Sequence, residues 1–231
     1  VETNKGWNDY NKVNQRDKKM AHEWILMLKN WLRSNLFARG STSILDYGCG
    51  YFDLGIELVQ EGHSVDGFDP FGPAVEIARR RIEELVPGKA QIYSSVNEIP
   101  SRRYDVIVLN SVVQYMTGEN ELEKFFSFGR GLFRNEGGFI VISDVIPRNY
   151  SPVLDGLECL CFAARRSLLW PMTLHLYRTF QNSAHKTIKR YDFVELKELA
   201  KSFDYEVRKL DCNLTPSRRR YSVVFQMRQY K

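Results

Sequence analysis

Apolar residues in this chain recur with two periods, which divide it into elements. Over residues 16–37, Met20, Trp24 and Leu28 recur every fourth position with Ala21, Ile25 and Leu32 beside them. Lys18, Lys19, Glu23, Lys29 and Arg33 take the opposite side. This spacing predicts a long amphipathic helix that covers the rest of the fold. From Ser43 onward, short apolar strands alternate with helical stretches. Helices are expected over 53–61, ending at Gly62, over 73–85, opened by Pro73 and stopped before Pro87-Gly88, and over 119–133. Strands are expected over 90–94, 105–109 and 137–143 between them. Such alternation predicts a mostly parallel sheet covered on both faces.

The C-terminal part follows another rule. A helix over 191–202 precedes strands over 205–210 and 221–227, joined with no helix between them. Without a crossover the two strands must pair antiparallel. The block 146–189 is too long for a simple loop. Its stretch 154–169 has helical spacing, and Pro171 is expected to break it before a second helix over 172–181. This two-helix insertion begins at the C-terminal end of the fifth strand, where open α/β sheets bind their ligands, and is the candidate substrate lid.

The chemistry is concentrated in Ile44-Leu45-Asp46-Tyr47-Gly48-Cys49-Gly50, a strand running into a glycine turn and a helix. Glycines there let the backbone turn sharply and lie against a ligand. A dinucleotide site needs G-x-G-x-x-G, and here the third glycine is replaced by Asp53, whose carboxylate opposes a pyrophosphate. S-adenosyl-L-methionine has no phosphate and tolerates the acid. The next strand, Val65-Asp66-Gly67-Phe68-Asp69, ends in a carboxylate able to accept both hydroxyls of a ribose.

With Leu45-Asp46-Tyr47-Gly48-Cys49-Gly50, Val65-Asp66-Gly67-Phe68-Asp69-Pro70, Tyr104-Asp105-Val106-Ile107-Val108-Leu109-Asn110-Ser111 and Gly137-Gly138-Phe139-Ile140-Val141-Ile142-Ser143, the chain resembles the class I S-adenosylmethionine-dependent methyltransferases. The likeness is close over about residues 40–146. It implies an α/β fold: a doubly wound, Rossmann-like, mostly parallel sheet with a C-terminal antiparallel hairpin and a helical insertion after the fifth strand. The corresponding division is a helical cover (1–39), a cofactor-binding domain (40–147 and 190–231) and the insertion (148–189). Phe52 stands where the family often has a third glycine, and is expected to reshape the pocket near the methionine end.

The resemblance implies S-adenosyl-L-methionine as cofactor. Asp46, Gly48 and Gly50 would hold the methionine end and Asp69 the ribose, with Pro70 or Phe71 over the adenine. Ser95 and Val96 would lie beside the adenine, with Ser95 or Asn97 in place of the family's usual acid, and Asn110 and Ser111 beneath the transferred methyl. Candidates for the proton-accepting or substrate-orienting role are His175, in the apolar insertion, and Tyr115. Asp144 is a candidate base or metal ligand, but the run Ser143–Pro147 holds no second carboxylate. His22, His63 and His185 lack metal-ligand spacing, so no metal is expected.

Composition narrows the setting. The 231 residues carry a formal net charge of +5, and between Arg148 and Arg190 seven Lys/Arg face only Asp155 and Glu158. Arg218-Arg219-Arg220 reads as a second basic cluster. An acidic metabolite is therefore the expected acceptor, with Arg165, Arg166, Arg178 and the N-terminal Tyr10 as substrate-binding candidates. RNA or protein methylation through the basic insertion, or a non-catalytic partner role, are the alternatives. The strand ending Asn110-Ser111-Val112-Val113 lacks the N-P-P-[YF] motif of base-ring and amide methylation. The four cysteines form no C-x-x-C pair, no leader is visible and no apolar run spans a bilayer, so a cytoplasmic enzyme is expected.

Overall fold

A computed structural model describes residues 18–37, 41–181, 188–212 and 214–228. Its order is α1 (Lys18–Asn35), β1 (Ser43–Tyr47), α2 (Asp53–Gln60), β2 (Ser64–Phe68), α3 (Gly72–Leu85), β3 (Ile92–Tyr93), β4 (Val106–Asn110), α4 (Glu121–Arg130), β5 (Phe139–Val145), α5 (Pro152–Ala164), α6 (Leu169–Gln181), α7 (Phe193–Ser202), β6 (Tyr205–Lys209) and β7 (Tyr221–Met227). The seven strands form one sheet in the order β3-β2-β1-β4-β5-β7-β6. Strands β3 to β5 are parallel, and β7 is antiparallel to both β5 and β6, as the missing crossover requires.

Strands β1, β4 and β5 are apolar and buried on both faces because helices cover both sides. One face packs Tyr104, Phe126, Tyr205 and Phe225 into an aromatic core, and the other packs Leu28 and Leu32 of α1 with Phe52 and Leu58. The covering helix α1 differs from expectation on its polar side. Lys29 is buried and its Nζ donates to Glu57 (2.7 Å) and meets Glu61 (3.0 Å), so α1 is tied to α2 by charge as well as by apolar contact.

The position of the helix break is corrected, and the place of Phe52 is now defined. Pro171 lies in the first turn of α6, where its missing N–H costs no helical hydrogen bond. The break comes before it, at the turn containing Ser167 (φ 57°). Phe52 takes a left-handed conformation (φ 61°, ψ 32°) and is fully buried beneath α2. Its ring fills the space that Gly55 and Gly67 leave open: a Cβ at Gly55 would lie 2.1 Å from it, and one at Gly67 2.9 Å. Helix α2 thus meets the sheet through an aromatic ring seated on glycines. Gly55→Ala is expected to destabilise the protein by about 1–3 kcal/mol through overpacking. Thermal melts of Gly55→Ala, Phe52→Leu and the double variant check this. The double should lose less than the sum of the two singles, because the added methyl and the ring compete for one space.

Candidate active site

The C-terminal ends of β1 and β2 converge on the glycine turn. Gly48 (φ 81°) and Gly50 (φ 53°) bend the chain so that the N–H groups of Gly48 and Cys49 donate to the carbonyl of Phe68 (2.7 and 2.9 Å). Asp69 closes the turn from the other side. Its Oδ2 accepts from the Gly50 N–H and its Oδ1 from the Phe71 N–H, both at 2.9 Å. Burial raises the Asp69 pKa, and these two bonds work against the rise. Each oxygen keeps a lone pair for a further donor, which suits a ribose diol. Where a Cβ on Gly50 would project, no atom lies within 4 Å, so the turn faces open space.

Asp46, next to the last residue of β1, is only 4 % exposed, and no hydrogen bond to its carboxylate is found among the described residues. Its pKa is pushed up to about 7, first by burial and then by Asp69 and Asp53. A carboxylate buried in this way takes either a proton or a cation. An ammonium group beside Asp46, a diol at Asp69 and no phosphate are the features of S-adenosyl-L-methionine, and the residues present fit it. Asp53 carries less of that case than its position in the motif suggests, because it is paired with Arg81 at 2.6 Å.

Other sequence-nominated residues lie around this cradle. Pro70 is exposed and Phe71 half-buried at the start of α3. Ser95 caps a short helical turn, Val96–Glu98, accepting from the Asn97 N–H, while Glu98 accepts from the N–H groups of Ser94 and Ser95. Asn110 ends β4, two residues beyond the Val108 that pairs with Asp46, and its Oδ1 accepts from Ser143 Oγ (2.6 Å).

Beyond Asn110 and Ser111 a cavity of about 700 Å³ opens beneath α5 and α6. Tyr115 and His175 line it together with Trp24 of the covering helix, whose ring meets His175 edge-on at 5.8 Å. Arg165, Arg166 and Arg178 are not among its lining residues. Arg165 is exposed at the end of α5, and Arg166 pairs with Glu23 (2.8 Å) and lies over the Phe162 ring. Tyr10, the aromatic N-terminal segment and His185 lie outside the described residues.

The cavity floor holds a charged network absent from the sequence reading. Ser111 and Asp144, at the ends of β4 and β5, both have positive φ (60° and 67°), and Ser111 Oγ donates to Asp144 Oδ2 at 2.7 Å. Arg220 donates from Nη1 to both Asp144 oxygens (3.0 Å) and from Nε and Nη2 to Asp155 (3.0 and 2.7 Å), while Tyr150 Oη donates to Asp155 (2.9 Å). Asp144 does have a carboxylate neighbour, Asp155, supplied by α5 and not by its own strand. A guanidinium occupies the space between them. No group of three or more metal-ligating side chains occurs among the described residues. Burial opposes the ionisation of Asp155, but Arg220 outweighs it and the pKa is lowered.

A family described as a methyltransferase domain matches residues 14–210. A protein of Methanococcus maripaludis assigned as an S-adenosyl-L-methionine-dependent methyltransferase superposes with a TM-score of 0.66 at 15 % identity, over 98 % of this chain and 94 % of that one. Magnesium protoporphyrin IX methyltransferase from Synechocystis PCC 6803, solved with bound S-adenosylhomocysteine, superposes at 0.60 with 17 % identity, over 96 % and 93 %. Nonribosomal peptide synthetase kk1B of Curvularia clavata is 27 % identical over 125 residues, 52 % of this chain, and the chain spans about 1 % of that protein's length. The chain belongs to the class I S-adenosyl-L-methionine-dependent methyltransferase family.

Proposed function

We propose that the protein transfers a methyl group from S-adenosyl-L-methionine to an oxygen or nitrogen of a small molecule. The observation that carries this reading is the adjacency of the cofactor cradle at β1 and β2 to the cavity that starts at Asn110 and Ser111. A pocket of this size suits a small acceptor. When bound, the cofactor supplies a methyl carbon on a sulfonium, which the acceptor's lone pair displaces in line.

The chain's own residues align and dry that encounter. Asp46 fixes the amino group of the cofactor's methionine and Asp69 its ribose. Asn110, held by Ser143, and Ser111, held by Asp144, form the floor between cradle and cavity. A protic acceptor must lose its proton as the new bond forms. His175 on the cavity wall is the candidate base, and Tyr115 orients the acceptor. Helices α5 and α6 exclude water above them.

Calorimetric titration with S-adenosyl-L-methionine, S-adenosylhomocysteine and NAD tests the cofactor. The first two are expected to saturate one site and NAD to show no binding. Asp69→Ala should remain folded and bind the sulfur ligands about tenfold to a hundredfold more weakly, having lost a charge-assisted pair of hydrogen bonds. Unchanged affinity in a folded Asp69→Ala protein would remove that residue from the site.

A further inference from the structure

A helix on a protein surface normally turns its charged side outward. Helices α5 and α6 do not: among the described residues, every exposed one on either helix is uncharged. Val153 and Leu157 stand out from α5, and Leu169, Trp170 and Tyr177 from α6, with Val153 73 % and Trp170 79 % exposed. Val153 and Leu157 are four positions apart and Trp170 and Tyr177 seven, so each helix carries its apolar side chains on one stripe. Val153, Leu157 and Tyr177 also line the cavity, so the two stripes meet at its mouth as one patch.

We infer that this patch docks on a lipid bilayer bearing anionic headgroups, with the cavity mouth turned toward the lipid. Charge around the patch selects that partner. Arg165 and Arg166 are exposed in the turn joining the two helices. Arg218 and Arg219 are exposed beside α5, where Glu158 accepts from the Arg218 N–H (2.6 Å) and pairs with the Arg219 side chain (3.3 Å). Arg166 is paired with Glu23, whereas no ion pair of Arg165 or Arg218 is found among the described residues. An apolar stripe with a tryptophan enters the boundary between headgroups and acyl chains, while arginines at its edge reach the phosphates. A second copy of the chain would offer the same uncharged stripes and the same arginines, with no exposed acid on either helix to pair with them. Docked through this face, the chamber receives an apolar molecule dissolved in the bilayer by a path that avoids water.

Flotation of the full chain with lipid vesicles tests the docking. Binding is expected to vesicles of phosphatidylcholine with phosphatidylglycerol, and to be about tenfold weaker on phosphatidylcholine alone. Trp170→Ser and Leu157→Ser should keep the wild-type thermal melt, since both side chains are exposed, and should each weaken binding about tenfold. Arg165→Gln should weaken it about fivefold. Brominated lipid in the anionic vesicles should quench the wild-type tryptophan emission, and Trp170→Phe should bind yet lose most of that quenching. A wild type that binds neither vesicle, or binds both equally, would overturn the inference. So would binding that survives in both serine variants, or quenching unchanged in Trp170→Phe. A concentration-dependent dimer that Trp170→Ser dissociates would overturn it as well, by assigning the face to a second copy.

Discussion

Asp46→Asn is expected to make the ligand-free protein more stable above about pH 7 while weakening S-adenosyl-L-methionine binding about a hundredfold. Both effects come from one buried charge. Folding carries Asp46 from an ordinary carboxylate pKa of 3.8 to about 7, which corresponds to about 4 kcal/mol against the ionised, ligand-free fold. Asparagine removes the charge but stays polar, so a gain of about 2 kcal/mol is the reasonable expectation, some 4–8 °C in Tm for a chain of this size. The sign with pH follows from proton counts. Between the two pKa values the folded state holds a proton that the unfolded state has lost, so wild-type stability falls as pH rises from about 4 to about 7. In Asp46→Asn that slope should vanish and the melting curves should converge near pH 4. Cofactor binding runs the other way in the wild type, since the ammonium needs the ionised carboxylate, and affinity should rise through about pH 7 and fall again once the cofactor's amino group loses its proton. Chemical denaturation across this range, beside calorimetry with the cofactor, measures both. A variant no more stable than the wild type above pH 7 would mean that Asp46 is not held as an isolated buried acid.

The proposed cofactor site is built from signals that a sequence can carry. A short strand, a glycine turn and two acids at strand ends are local signals. The residues that join them, Asp69 to Gly50 and Phe71, lie within about one βαβ unit. Parallel pairing of β1 to β5 and the final hairpin follow from period and connection length alone. The floor of the acceptor chamber was not legible. Asp144, Asp155 and Arg220 come from β5, α5 and the approach to β7, with 65 and 76 residues separating Arg220 from its partners. No spacing rule connects residues so far apart. As part of Arg218-Arg219-Arg220 the arginine reads as surface charge, yet Arg219 pairs with Glu158 and Arg220 turns inward. The seat of Phe52 was hidden for a similar reason: its ring is accommodated by Gly55 on the helix and Gly67 on a strand, and only the packed fold brings the two glycines together.

Arg220→Met should cost about 3 kcal/mol of stability, the largest loss expected from a single substitution around the chamber. Its guanidinium stands between two carboxylates that are each more than nine-tenths buried, and removing it leaves them facing one another without a counter-charge. Breaking such an arrangement is costly because the remaining charges stay desolvated; the partial exposure of Arg220 keeps the figure at the lower end of the usual range. The pH dependence also changes sign. In the wild type, Arg220 lowers the Asp155 pKa, so that contribution is present at neutral pH and is lost as pH falls through the folded value. In Arg220→Met one of the two acids must take up a proton to fold, so the variant should gain relative to the wild type on acidification. Combining it with Asp144→Asn and Asp155→Asn removes every charge from the network. Asparagine oxygens can still accept from Ser111 and Tyr150, so most of the lost stability should return. Methyl transfer should not return with it if the network's charge serves the acceptor as well as the fold. Denaturation of the single and triple variants at neutral and acidic pH separates the two roles. If the triple variant remains as unstable as Arg220→Met, the loss came from the packing of the arginine side chain and not from its charge.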